Sequence, residues 1–66
     1  MLSARNQFPG SIKEIKLGTV MVDIVIDIGG LEIVSAITRA SAERLALKVG
    51  DSVTAIVKST DVLIDK

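Results

Sequence analysis

Sixty-six residues with eight basic and eight acidic side chains carry no net charge, which excludes a broad electrostatic field for nucleic acid or anionic lipid. The absence of cysteine and histidine removes disulfides, the usual transition-metal sites and catalysis built on either residue. A chain of this size buries only about 60% of its unfolded surface, yet 48% of it is hydrophobic, so one small domain over residues 1–66 that associates with further copies is expected.

No apolar run reaches the roughly 18 residues of a membrane span, and Met1-Leu2-Ser3 does not open a secretory leader. No membrane contact and a cytoplasmic location are expected. Pro9-Gly10 punctuates the first segment, but the run around it still reads as extended. Ser11 to Lys16 alternates without choosing a face: Ile12 and Lys16 share one parity, Lys13 and Ile15 the other. Gly18 marks a turn. Val20 to Ile28 is the clearest strand, with Val20, Val22, Ile24, Ile26 and Ile28 on one face. Met21 and Val25 make the opposite face partly apolar, which fits a surface turned toward another subunit.

Gly29-Gly30 reads as a two-residue hairpin turn, because glycine accepts positive φ at both positions. Leu31 to Thr38 is the returning strand. Ala40 to Leu47 is the helical stretch, with Ser41 as N-cap and Leu45, with Leu47, toward the core. Lys48-Val49-Gly50-Asp51 ends it. Ser52 to Lys58 is a strand again, and Val62 to Ile64 a short last one. The order predicts an all-β fold: a small five-stranded Greek-key barrel like an oligonucleotide-binding (OB) fold, with one short helix.

Two polar segments stand out. Ser3-Ala4-Arg5-Asn6 opens the chain and Lys58-Ser59-Thr60 follows the last long strand; neither contains a carboxylate. An oxyanion offers only acceptor oxygens, so its site needs only donors, and these segments read as parts of one. Thr38 and Ser41 stand where a strand gives way to a helix N-terminus, a natural place for an oxyanion. Arg44 lies three residues beyond Ser41 and shares its side of the helix. Taken singly, each of these residues also has an ordinary reading, as a cap, a solvated loop or a helix surface residue.

At Ser3-Ala4-Arg5-Asn6-Gln7 and Lys58-Ser59-Thr60-Asp61-Val62 the chain resembles the molbindins, the molybdenum-pterin-binding or Mop proteins. The likeness extends through Gly18-Thr19-Val20, Ile37-Thr38-x-x-Ser41 and Lys48-Val49-Gly50-Asp51. It implies an OB-like barrel that assembles as a dimer or as a hexamer, a trimer of dimers. It also implies molybdate, and often tungstate, bound at subunit interfaces. Ser3, Arg5, Lys58 and Ser59 match the donors of one subunit, and Thr38, Ser41 and Arg44 those of its neighbour; no side chain ligates the metal directly. The Thr38-x-x-Ser41-x-x-Arg44 spacing is closest to the regulator branch of the family. Hexameric members carry a second class of site on symmetry axes, which no residue here identifies.

Three other functions compete. A single-stranded nucleic-acid module needs aromatic platforms and a basic groove, whereas Phe8 is the only aromatic. An enzyme would need a catalytic pairing that the sequence does not display. A purely structural oligomerisation module is the third. Without a DNA-binding or ATPase segment in these residues, storage of the oxyanion is expected ahead of sensing or transport.

Overall fold

The computed structural model describes residues 5–66, and Ser3 lies outside them. Strands β1 (Asn6–Leu17), β2 (Met21–Asp27) and β3 (Glu32–Thr38) are followed by helix α1 (Arg39–Arg44) and strand β4 (Ser52–Val57). A single 3-10 turn, Ser59–Asp61, comes after β4. The four strands form one curled antiparallel sheet in the order β3-β2-β1-β4.

The long strand β1 serves two partners. Its first half, Asn6 to Ser11, pairs with β4, and its second half with β2. The register slips by one residue between Ile12 and Glu14. This bulge at Lys13 explains why the sequence alternation chose no face. One extra residue reverses the parity, so Ile12 and Ile15, three apart, both turn toward the core. At the same point the Ile12 backbone leaves the ladder and bonds the turn before β4. Its N–H donates to the Asp51 carbonyl (3.0 Å), and its carbonyl accepts from Gly50 N–H (2.8 Å).

The core is made by Ile12, Val22, Ile24, Ile26 and Ala55, with Ile15, Ile28, Ile33, Ile37, Ala42, Leu47 and Val53 packed against it. Met21 and Val25 lie on the opposite face of β2, where Val25 pairs with Val34, which is 61% exposed. Apolar side chains therefore occupy both faces of the sheet, as the alternation within β2 requires.

Both tight turns follow glycine chemistry. Gly29 and Gly30 have φ of 93° and 95°, and Ile28 N–H closes the turn on the Leu31 carbonyl (2.8 Å). Val20 belongs to the preceding turn rather than to β2, and is 68% exposed, because Gly18 N–H already bonds the Met21 carbonyl. Asp27 Oδ1 accepts from Gly29 and Gly30 N–H, each at 3.0 Å. Those two N–H groups, Gly30 first, lower the Asp27 pKa. A lowered carboxylate contributes stability above its unfolded pKa and loses it as pH falls through the folded value. Asp27→Asn is therefore expected to flatten the melting temperature against pH below about pH 4. Unchanged acid sensitivity in thermal melts of the variant would remove this role.

Three expectations are corrected here. The helix spans Arg39–Arg44 instead of Ala40 to Leu47, because Ala46 takes a positive φ of 52° and reverses the chain. Ala46 N–H bonds the Glu43 carbonyl and Leu47 N–H the Ala42 carbonyl, a Schellman closure. That closure swings Leu47 onto the core and leaves Leu45 62% exposed; Ala42 is the helix residue that packs inward. The N-cap is Thr38, not Ser41. Finally, Val62 to Ile64 forms no strand, so the described residues contain four strands rather than five. Val62, Leu63 and Ile64 are 52%, 92% and 92% exposed. A strand needs a neighbour's edge, and these residues pair with none among the described residues.

Candidate oxyanion site

Thr38 ends β3 opposite Met21 and turns the chain into α1 with extended backbone, φ −69° and ψ 147°. Its Oγ1 accepts from Ser41 N–H (3.1 Å) and lies 2.8 Å from Ser41 Oγ. The two hydroxyls share one proton between them, so one O–H remains to donate outward. Thr38 is exposed and Ser41 half-buried. Fewer free amides remain here than a bare helix start provides. Arg39 N–H donates to the Val20 carbonyl (2.7 Å), and Ser41 N–H is committed to Thr38. With only six helical residues the helix dipole is small, so hydroxyls and side-chain cations would supply most of the attraction for any anion here.

Arg44 sits in the last turn of α1, exposed, with no ion pair to any described residue. Arg39, which the sequence reading passed over, has a different task. Its Nε meets Glu43 Oε1 at 3.2 Å and its Nη1 donates to the Gly18 carbonyl at 3.4 Å. It thereby fastens the start of α1 to the β1–β2 turn, and the Arg39-x-x-x-Glu43 spacing was the available signal. Beside it lies a mostly apolar cleft of about 310 Å³ between α1 and the ends of β1 and β2.

The other donors are elsewhere. Asn6 pairs with Val57, the last step of the β1–β4 ladder. One residue further along each strand stand Arg5 and Lys58, so continuing the register sets the two cations opposite each other. Lys58 precedes the 3-10 turn with extended backbone, φ −65° and ψ 142°, and its carbonyl accepts from Asp61 N–H (2.9 Å). Ser59 opens that turn, and Arg5, Lys58 and Ser59 are all exposed.

The two clusters lie at opposite ends of β1. Arg5, Lys58 and Ser59 adjoin its Asn6 end, while Thr38 and Ser41 adjoin its Leu17 end through Val22 and Met21. Eleven residue steps of strand contour, about 35 Å, separate the ends. The fold brings Thr38 to Ser41 and aligns Arg5 with Lys58, but joins neither pair to the other within one chain. Among the described residues no group of three or more acidic, cysteine or histidine side chains is placed to hold a bare metal cation.

Thr38→Val keeps the shape and removes the cap. It is expected to lower stability by about 1 kcal/mol in thermal or urea unfolding, whereas Thr38→Ser retains the oxygen and most of the stability. A loss for Thr38→Ser with none for Thr38→Val would show that the methyl contact matters and the cap does not.

A small antiparallel sheet closed by a short helix, with anion donors at its two ends, defines a small ligand-binding domain. The chain belongs to the TOBE domain family, whose model matches residues 2–64. It is 47% identical over 64 residues to molybdenum-pterin-binding protein 2 of Clostridium pasteurianum, covering 96% of this chain and 94% of that protein. The structure of a molybdate-binding protein from Sporomusa ovata superposes with a TM-score of 0.96 at 47% identity, over 100% of this chain and 98% of that one. The cytoplasmic molybdate-binding protein ModG, crystallised with molybdate bound, matches at a TM-score of 0.85 and 38% identity, over 89% of this chain and 43% of its own.

Proposed function

We propose that residues 1–66 form one molybdate-binding module that holds molybdate, and tungstate as well, at interfaces between identical subunits as an intracellular molybdenum store. The observation that carries this reading is the placement of two donor clusters at opposite ends of β1, each incomplete alone. Arg5, Lys58 and Ser59 of one subunit, with Ser3, meet Thr38, Ser41 and Arg44 of the next. Relatives that bind molybdate, matched along nearly the whole chain, support the choice of ligand.

Recognition follows from the donors. Molybdate presents four acceptor oxygens and a double negative charge. Arg5 offers a planar fork of N–H groups and Lys58 a compact charge. The hydroxyls of Ser59 and of the Thr38–Ser41 pair add neutral donors that orient the tetrahedron. Phosphate partly carries a proton at neutral pH, and a site of donors gives that proton no acceptor. Sulfate carries none, so its rejection rests on size: donors spaced for a larger anion stand too far apart for it.

Assembly is a hexamer built from dimers, or a dimer, located in the cytoplasm. The strand order, in which β4 lies beside β1 after the helical connection, supports a Greek-key barrel whose fifth strand closes the seam between β3 and β4. The module binds and releases its ligand and performs no catalysis. Equilibrium dialysis against molybdate with elemental analysis tests the reading. About one retained molybdenum per chain is expected from shared sites under two-fold symmetry. Retention no greater than for a sulfate control would refute it.

A further inference from the structure

Strand β1 has an open edge in its second half. β4 pairs only with residues 6–11, so beyond the bulge β1 meets β2 on one side and no strand among the described residues on the other. Gly18 N–H donates to the Met21 carbonyl (2.9 Å) and so faces β2. Backbone groups alternate sides along an antiparallel strand. Lys16 therefore also faces β2, while Ile15 and Leu17 turn their N–H and C=O groups to the open side. Among the described residues no backbone bond reaches either of them from that side. Their side chains, with Val22, Ala42 and Leu47, line the apolar cleft of about 310 Å³ beside α1, a size and lining that suit a binding site. Leu17 is 70% exposed there.

We propose that this edge takes an extended segment of another protein as an added antiparallel strand of the pattern apolar–acidic–apolar. Its main chain bonds the Ile15 and Leu17 groups, its two apolar side chains enter the cleft, and its carboxylate stands opposite Lys16. β1 already accepts this pattern on its other side, where Leu17, Lys16 and Ile15 pair with Val22, Asp23 and Ile24. Lys16 is exposed and forms no ion pair with any described residue, so its charge is available to a partner. Lys48, which also lines the cleft, is likewise without an ion pair among the described residues. A second copy of the same edge is a poor occupant. The register that uses the Ile15 and Leu17 groups of both copies sets Lys16 directly opposite its own counterpart, and like charges so placed are destabilising. The bulge at Lys13 also shortens the free edge, a common guard against edge-to-edge association. The edge lies at the Leu17 end of β1, the end that adjoins Thr38 and Ser41, so the partner docks next to half of the donors. The inference does not depend on which oxyanion those donors hold.

The probe is a short end-capped synthetic peptide, Thr-Val-Asp-Ile-Thr, and amide hydrogen exchange of the isotope-labelled protein is read by NMR. In the free protein the Ile15 and Leu17 amides are expected to exchange at least tenfold faster than that of Lys16, and to slow at least tenfold with millimolar peptide. Protection of Ile15 and Leu17 in the free protein would overturn the proposal, because another copy then covers the edge. Exchange that millimolar peptide leaves unchanged would overturn it as well. Charge pairing is tested separately by fluorescence anisotropy with labelled peptide. Lys16→Glu alters an exposed side chain, so folding is spared, and sedimentation checks that the assembly is unaltered. Its affinity for the peptide is expected to fall at least tenfold, and a peptide with lysine in place of aspartate is expected to restore it. An unchanged preference for aspartate in this variant would refute the register opposite Lys16. A peptide N-methylated at its valine and isoleucine amides lacks the ladder donors and is expected to lose binding. Undiminished binding of that peptide would refute strand addition.

Discussion

Arg5→Ala and Arg44→Ala oligomers are each expected to bind molybdate weakly, and an equal mixture of the two, refolded together, to regain part of the lost binding. In the proposed site Arg5 comes from one subunit and Arg44 from the neighbour. A cation about 4 Å from a unit charge gains about 4 kcal/mol at an effective dielectric of ~20, and a dianion about twice that, before desolvation. Desolvation offsets much of this. A hydrogen bond to a charged group contributes about 1.5–3 kcal/mol net, so each single variant should lose roughly 10- to 100-fold in affinity. At an interface between unlike subunits, one of the two sites loses both arginines and the other keeps both. With random pairing about a quarter of all sites are intact under two-fold symmetry. Calorimetry on the mixture should resolve that tight fraction. Its absence from mixed oligomers confirmed by mass spectrometry would show that these arginines do not share a site.

The largest stability effect is expected at Gly10. A Cβ there would sit 2.2 Å from the Asp27 carbonyl oxygen and 3.1 Å from both the carbonyl carbon and Ile28 Cγ2. Backbone meets backbone, so relief requires β1 and β2 to part at the point where β1 also pairs with β4. Gly10→Ala should cost about 3 kcal/mol, the upper end of overpacking penalties. In a domain of this size that lowers the melting temperature by roughly 15 °C or more. Gly29→Ala is the control. Its Cβ meets nothing within 4 Å, and only the φ of +93° opposes it. About 1–2 kcal/mol is expected there. Both are to be compared at one protein concentration without oxyanion, since association and ligand each shift the melting point. Equal effects at the two glycines would show that β1 and β2 separate easily at Gly10.

Much of this structure was legible in the residues. The alternation of β2 placed Val22, Ile24 and Ile26 in the core, and Gly29-Gly30 gave its turn outright. The face of β1 was not legible, because a bulge at Lys13 breaks a period that local sequence assumes to be constant. The helix end was hidden by Ala46, which occupies a left-handed position where glycine is the usual signal. Thr38 and Ser41 were recognised as a pair, but which of them caps depended on where β3 stopped. Val62 to Ile64 carries a strand's residues and has no strand's partner among the described residues, a distinction that sequence alone does not draw. The cations Arg5, Lys58 and Arg44 were legible as types. Their separation along β1 came only with the register.

The central claim is that a site made of donors at subunit interfaces selects molybdate. Calorimetric titration of the 66-residue chain with molybdate, then with sulfate at constant ionic strength, tests it most directly. A molybdate Kd in the micromolar range or below is expected, about 8 kcal/mol of net binding, with sulfate weaker by at least tenfold. Equal affinity for the two anions would contradict the account.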